Sequence, residues 1–168
     1  MHRYRVWNGP MPTTAAQVAV TTGTAIKTML QLATPSTRQI QLISWGYSVD
    51  GAPSTGEVEL IQTDVAATVT AHAASGVQPL DPNAPASLLT LGTSATGYTS
   101  TAEGATTASR VFSAVKLVAS GSTAGQYLFY EYQWMPDERP IVAVSKFLRV
   151  RATMGSAVNM LTWITFDE

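Results

Sequence analysis

Alternation of apolar and polar residues dominates the last third of the chain. Four runs there read as strands, residues 125–134, 138–144, 146–154 and 156–167, and three of them alternate with period two. In the third run each side holds three residues: Leu148, Val150 and Ala152 on one, and Phe147, Arg149 and Arg151 on the other. Side chains of a strand point alternately to its two faces. The pattern therefore predicts strands with one packed face and one wet or docked face.

Further strand candidates occupy the front half, at residues 16–21, 25–33, 38–49 and 56–63, and one more lies at 110–119. The middle of the chain, residues 64–109, is instead rich in Ala, Thr, Ser, Gly and Pro. There we predict a short helix at 66–74 and a short strand at 87–91. A connection this long inside one domain usually carries function or forms an interface.

The number and spacing of these runs predict an all-β protein. Eight or nine antiparallel strands with Gly, Pro and Asp turns imply a sandwich or barrel, and a jelly-roll sandwich is the economical choice at this length. A lipocalin-like barrel is disfavoured because short hairpins leave no place for the middle segment. We predict an extended N-terminal arm at residues 1–12 and a single sandwich domain at 13–168. The arm holds Tyr4, Val6 and Trp7, which are too apolar for a solvated tail, so we expect it to lie on a neighbour or on its own domain.

Composition adds a prediction about partners. Only 12% of the residues are charged, against about 25% in typical domains. A surface of roughly 8,000 Å² with so few charges is poorly protected against association, which favours a homo-oligomer or a subunit of a larger assembly. The net charge of −1 shows no basic excess, so we expect no nucleic-acid partner. No apolar run is long enough for a membrane span, and residues 1–12 lack the apolar core of a signal peptide.

The residues that carry chemistry are scarce. There are no cysteines and only two histidines, His2 and His72, and no metal-ligand partner follows His72 before Asp81. We therefore expect a loop or surface histidine, no metal and no cofactor. Glu57 and Glu59 share one face of a predicted strand. They form either an acid/base pair or the solvent side of that strand, and the solvent side is the simpler interpretation. No nucleophile-elbow motif is present. We expect no catalytic residues and no enzyme.

Three groups of residues are candidates for a protein interface. They are Tyr4, Val6 and Trp7 in the arm, Asp137, Glu138 and Arg139 at a predicted hairpin tip, and Lys146, Arg149 and Arg151 along one strand. The basic group meets acidic groups of a partner in one interpretation and forms a solvated sheet face in the other. The hairpin tip is likewise either a docking contact or a solvated turn. In the aromatic run 125–134, one face is expected in the core and the other in a subunit contact.

Several segments resemble small virion proteins of tailed bacteriophages of actinobacteria. The segments lie at 43–46, 50–51, 58–64, 80–87, 97–98, 102–104, 136–140 and 146–163. The resemblance implies a jelly roll similar to phage decoration proteins and to tumour-necrosis-factor-like trimers. It implies a homotrimer on the outside of the capsid, bound to the major capsid protein after assembly in the host cytoplasm. It transfers no catalytic residue.

Two other functions stay open at this point. One is a tail, collar or fibre module of the same fold that binds host-surface glycans, which the aromatic run and the long middle segment suggest. The other is a hydrolase that acts on the host envelope, which the scarce histidines and absent motifs disfavour.

Overall fold

Strands make up nearly all of the regular structure in the computed structural model, which describes residues 1–11, 14–51, 55–107, 109–117 and 128–168. Within these ranges the strands are β1 (Arg3–Trp7), β2 (Val20–Thr21), β3 (Lys27–Ala33), β4 (Ile40–Val49), β5 (Gly56–Thr63), β6 (Thr68–Ala71), β7 (Val77–Pro79), β8 (Gly97–Ala102), β9 (Ser109–Leu117), β10 (Leu128–Gln133), β11 (Ile141–Val142), β12 (Phe147–Met154) and β13 (Asn159–Asp167). One turn of 3-10 helix spans Ala74–Gly76. No helix in the described ranges is long and apolar enough to cross a membrane.

The strands form two sheets. The first sheet has the order β10-β4-β13-β1-β7, with β11 paired to β4 and β2 paired to β13. The second has the order β6-β8-β3-β12-β5-β9. All strand pairs are antiparallel.

Eight of the strands give the fold its topology. Numbered one to eight in chain order, β1, β3, β4, β5, β9, β10, β12 and β13 run 6-3-8-1 in the first sheet and 2-7-4-5 in the second. Two interleaved four-stranded sheets of this kind make a jelly roll. The predicted fold class, an all-β jelly-roll sandwich, is confirmed.

The core lies between the two sheets and confirms the alternation in β12. Leu148, Val150 and Ala152 are fully buried and join the core cluster. They face apolar side chains of the first sheet, including Trp45 and Ile164. The period-two pattern was therefore a correct guide to which face of β12 is packed.

The N-terminal segment lies on its own domain, one of the two places expected for it, but it does so as a strand of the sandwich and not as a separate arm. β1 pairs with β13 on one side and with β7 on the other. Tyr4 and Val6 are buried in the core, and the Tyr4 ring stacks on Phe166 with 5.6 Å between centroids. The predicted boundary at residue 12 is corrected accordingly, although Pro12 itself lies outside the described residues. The apolar residues at positions 4 and 6 alternate with Arg3 and Arg5, as expected for a strand with one packed face. The alternating stretch is too short to be recognised as a strand from the sequence.

Asn8 extends the pairing of β1 beyond its last residue. Its buried side-chain amide donates to the carbonyl of Met160 at 2.9 Å, and its side-chain oxygen accepts from the Thr162 N–H at 2.7 Å. The Asn8 N–H also donates to the Thr162 carbonyl at 3.0 Å. Residues near the start of the chain thus satisfy buried backbone groups near its end.

The middle segment differs most from the prediction. The helix predicted at 66–74 is absent and strand β6 occupies the centre of that range, since Thr68, Val69 and Thr70 are β-branched residues that favour extended backbone. The strand predicted at 87–91 is absent, whereas β7 and β8 were not predicted. In the run 138–144 only β11 is a strand. Parts of two predicted strands, residues 118–119 and 125–127, lie outside the described residues.

Candidate association surface

The outer face of the first sheet presents the side chains that alternate with the core positions. It is made of Arg3, Arg5 and Trp7 on β1, Leu161, Trp163, Thr165 and Asp167 on β13, Ser44, Gly46 and Ser48 on β4, and Phe129, Glu131 and Gln133 on β10. We call this set the association face. Within the described ranges no third layer of strands covers it, and its exposed residues lie at the β1 and β10 sides, since Ser44, Gly46, Trp163, Thr165 and Asp167 are buried within the single chain.

A row of aromatic rings crosses the centre of the association face. The Trp163 ring lies 4.9 Å from the Trp7 ring and 5.8 Å from the Phe129 ring, between centroids. Trp163 is only 6% exposed, whereas Phe129 is 61% exposed. The row is therefore anchored in the middle and open to a partner at the β10 end.

Gly46 determines how Trp163 lies. A Cβ atom at Gly46 would stand 2.5 Å from Cζ2 of Trp163 and 2.6 Å from the Tyr130 carbonyl oxygen. Real Cβ atoms do not approach other atoms so closely. The glycine thus leaves room for the indole to lie over β4. The result is an apolar centre in which the Trp163 indole fills the space over Gly46.

Opposite charges stand on opposite sides of this centre. Arg5 is on β1 and donates from Nε to the Thr165 hydroxyl at 3.0 Å, while Glu131 is exposed on β10. Strands β1 and β10 are three positions apart, about 14 Å at the usual strand spacing. Across the described part of the chain neither side chain forms an ion pair. Arg5 and Glu131 are complementary charges that one copy cannot bring together.

Asp167 neutralises the other arginines at this end of the sheet. Its two carboxylate oxygens lie 3.3 Å from Nε of Arg3 and 3.5 Å from Nη1 of Arg139. Arg139 is thereby turned toward β13, and its own Nε atom is buried without a hydrogen-bond partner. Asp137 and Glu138 stay exposed in the turn before it.

The structure places the predicted interface residues in different environments. Tyr4 and Val6 are in the core, and Trp7 is in the aromatic row. Lys146 is half-buried at the start of β12. Arg149 and Arg151 share the outer face of β12 in the second sheet, as predicted from their spacing, and they are not brought near the 137–139 turn.

Arg149 is the main departure from the expected solvated or partner-facing strand face. The side chain is 0% exposed. Its Nη2 atom pairs with the Glu103 carboxylate and donates to the Glu103 carbonyl at 3.0 Å, and its Nε donates to the Thr28 hydroxyl at 3.0 Å. Burial lowers the pKa of the Arg149 guanidinium, and the Glu103 charge opposes that shift. Arg149 thus offers no surface to a partner.

The neighbouring charges on the second sheet are also used within the chain. Arg151 pairs with Glu59, and Lys116 pairs with Glu57. The two glutamates therefore serve ion pairs between strands rather than an acid/base pair. Sequence spacing placed them on one face correctly, but their partners come from other strands.

The middle segment explains why the outer face of the second sheet is covered. Gln31 on β3 is fully buried, and its amide nitrogen donates to the carbonyls of Ala95 at 2.6 Å and Ala67 at 3.2 Å. Its side-chain oxygen accepts from the Ala67 N–H at 2.8 Å. Together with Arg149 and Glu103, these contacts fasten residues 64–103 over the sheet. The long connection therefore has a structural role.

His72 lies in the loop between β6 and the 3-10 turn, so the loop alternative of the prediction is confirmed, but it is buried and not a surface residue. It is 4% exposed, and its Nε2 atom lies 2.8 Å from the Trp7 carbonyl oxygen. No group of three His, Asp or Glu side chains within the described ranges is placed to hold a metal ion.

Comparison of the chain with protein-family models, with curated proteins and with solved structures gives no match. Trp163, Phe129, Glu131 and Arg5 were not among the predicted site residues. The sequence signal that they share is their place in the alternation, because each lies next to a core residue of its own strand.

Proposed function

We propose that the protein is a structural virion component, a decoration protein that binds the outside of a phage icosahedral shell as a homotrimer and stabilises the shell. The observation that carries the proposal is the association face, whose apolar centre separates two unpaired opposite charges. The proposal includes no catalytic role and no cofactor.

The arrangement of charges supports association between copies. A ring of identical chains brings the β10 side of one copy against the β1 side of the next, which is a heterologous contact closed by rotation. In that contact Glu131 of one copy meets Arg5 of its neighbour, and Phe129 packs against the Trp7 end of the neighbour's aromatic row. Complementary charges at the edges of an apolar centre fix the orientation of partners.

The sparse charge of the whole surface also supports a subunit of a larger assembly. The accessible surface is 8099 Å², and the chain has only 10 basic and 11 acidic residues. One of these, Arg149, is fully buried. A protein that binds only the closed shell stabilises it by mass action, and several weak contacts per oligomer add through multivalency.

The proposed partner on the shell is the major capsid protein. The resemblance to phage virion proteins suggests this partner, and the exposed carboxylates of Asp137 and Glu138 are the contacts that we propose for it. Lys146 is a further proposed contact. These residues leave the association face available for the homotrimer.

Purified particles test the proposal. The protein is expected in stoichiometric amounts on the outside of the shell, and particles that lack it are expected to release their genome at a lower temperature. Particles without the protein that withstand heat equally well, together with its absence from shells, would overturn the proposal.

A tail, collar or fibre module that binds host-surface glycans is the second candidate. The exposed rings of Phe129 and Tyr132 favour it, because sugars stack on exposed aromatic faces. Glycan-array binding that is lost in Phe129→Ala, with no density for the protein on the shell in a particle map, would establish this function in place of the first.

A further inference from the structure

His72 joins three separate elements of the chain. It follows β6, its Nε2 atom contacts the Trp7 carbonyl at the end of β1, and its ring lies 4.8 Å from the Tyr98 ring on β8. Its Nδ1 atom faces the 3-10 turn, where a Cβ on Gly76 would stand 2.4 Å away. The imidazole is enclosed on several sides by backbone and an aromatic ring.

The contact to Trp7 continues the pairing of β1. Backbone pairing between β1 and β7 ends at Val6 and Val77, one residue short of Trp7. At Trp7 the imidazole supplies a donor on the β7 side, and the Gly9 N–H donates to the same carbonyl at 3.1 Å. A carbonyl oxygen only accepts, so Nε2 carries the hydrogen in the neutral ring and Nδ1 is unprotonated. Protonation therefore adds a hydrogen at Nδ1, on the side of the 3-10 turn.

The contacts of His72 within the described residues include no negatively charged side chain. The elements in contact with it present Trp7 from β1, Tyr98 from β8 and Gly76 from the 3-10 turn, and Tyr98 is the only titratable group among these three. Burial lowers the pKa of His72, and the hydrogen bond to the Trp7 carbonyl opposes this shift only in part. The neutral ring is the form that fits.

We infer that His72 is a pH-sensitive clasp that holds the end of β1, so that a fall in pH favours an open form in which the solvated imidazolium has left Trp7 and the association face is weakened. The link to the association face is direct, because the Trp7 ring packs on Trp163 at the centre of the aromatic row. That second step rests on the proposed function, whereas the release of β1 is a property of the single chain.

The direction of the pH effect follows from the lowered pKa. The open form takes up a proton near pH 6.5, while the closed form does so only at a lower pH. The clasp is therefore strongest above pH 6.5 and weakens as the pH falls from there to the pKa of the closed form. Within that window the closed form loses up to about tenfold in relative population per pH unit.

Hydrogen exchange of backbone amides tests the clasp. Protection factors, corrected for intrinsic rates, are measured from pH 7.5 to pH 5.5 for residues 7–9 and for β12 in the other sheet. In the wild type we expect residues 7–9 to lose up to about tenfold in protection per pH unit below 6.5, with β12 little changed. A parallel fall in β12, or no fall at residues 7–9, overturns the clasp even without any variant.

Two variants assign the effect to one histidine. His72→Gln keeps a side-chain N–H donor for the Trp7 carbonyl and cannot titrate, so its protection at residues 7–9 is expected to be flat with pH. His2→Gln removes the other histidine and is expected to behave like the wild type. A pH response that persists in His72→Gln, or disappears in His2→Gln, overturns the assignment.

Sedimentation at pH 7.5 and pH 5.5 separates this inference from the proposed function. An oligomer at pH 7.5 that dissociates at pH 5.5 in the wild type, and not in His72→Gln, supports the whole inference. An oligomer that is unaffected by pH while residues 7–9 open overturns the link between the clasp and the association face. A monomer at pH 7.5 overturns the proposed homotrimer and the link between the clasp and the association face. The clasp itself is then tested by the hydrogen-exchange result.

Discussion

Arg149 and Glu103 form an ion pair under the middle segment, on the outer face of the second sheet. The Arg149 side chain is fully buried, and the Glu103 side chain is 21% exposed. Glu103 also accepts from the hydroxyls of Thr28 and Ser100, so the pair connects β3, β8 and β12. The Glu103 carboxylate therefore holds the cover of the second sheet together with the Gln31 contacts.

Glu103→Gln is expected to destabilise the protein. The substitution leaves the buried guanidinium of Arg149 without its counter-charge, and breaking a buried pair costs about 3 kcal/mol at the lower end of the usual range. Unfolding in urea, followed by circular dichroism, measures the loss.

Two further variants sharpen this prediction. Glu57→Gln breaks the ion pair with the exposed Lys116 and is expected to change stability by less than about 1 kcal/mol. Arg149→Met in the Glu103→Gln background removes the orphaned charge and is expected to recover part of the stability. Equal losses for Glu103→Gln and Glu57→Gln would show that the burial of Arg149 does not matter.

Gly46→Ala is expected to displace Trp163. The added methyl group meets the indole and the Tyr130 carbonyl well inside contact distance, and overpacking of this kind costs about 1–3 kcal/mol. Gly51→Ala just beyond the end of β4 is the matched control, since its Cβ would lie 3.4 Å from the nearest atom, Cγ1 of Val158. Thermal unfolding compares the two, and a Gly46→Ala protein as stable as Gly51→Ala would contradict the packing of Trp163 over β4.

Asn8→Ala is expected to cost at least about 2 kcal/mol, because it leaves the Met160 carbonyl and the Thr162 N–H of β13 buried without their partner. Asn83→Ala provides the comparison, since Asn83 is exposed and donates to the Asp81 carboxylate through its backbone N–H, which the substitution keeps. Urea unfolding measures both. If Asn8→Ala were as mild as Asn83→Ala, the residues after β1 would not be an integral part of the fold.

The fold class and the packed face of β12 could be predicted from the sequence. Alternation can be recognised within one short run of residues, and the core positions of β12 follow that alternation. The place of β1 was not predictable in the same way. Tyr4 and Val6 reach the core only because β1 pairs with β13, about 160 residues away along the chain. No local pattern encodes such a pairing.

The candidate site was harder to predict than the fold for the same reason. Charged residues are mostly exposed, so Arg149 was expected on a wet face. Its burial depends on Glu103, which lies 46 positions earlier in the chain. The association face combines four strands from distant parts of the chain. Its residues look ordinary in sequence, and only the register of the sheet brings them together.

The mass of the protein in solution tests the central claim most directly. Sedimentation equilibrium on the wild type, Arg5→Glu, Glu131→Arg and the double variant is expected to give a trimer of the 17.8 kDa chain for the wild type. Each single charge reversal is expected to shift the mass toward the monomer, and the double variant, in which the two charges are exchanged, is expected to restore the trimer. A wild type that stays at 17.8 kDa at every concentration, or a double variant no better than the single ones, would contradict association through this face.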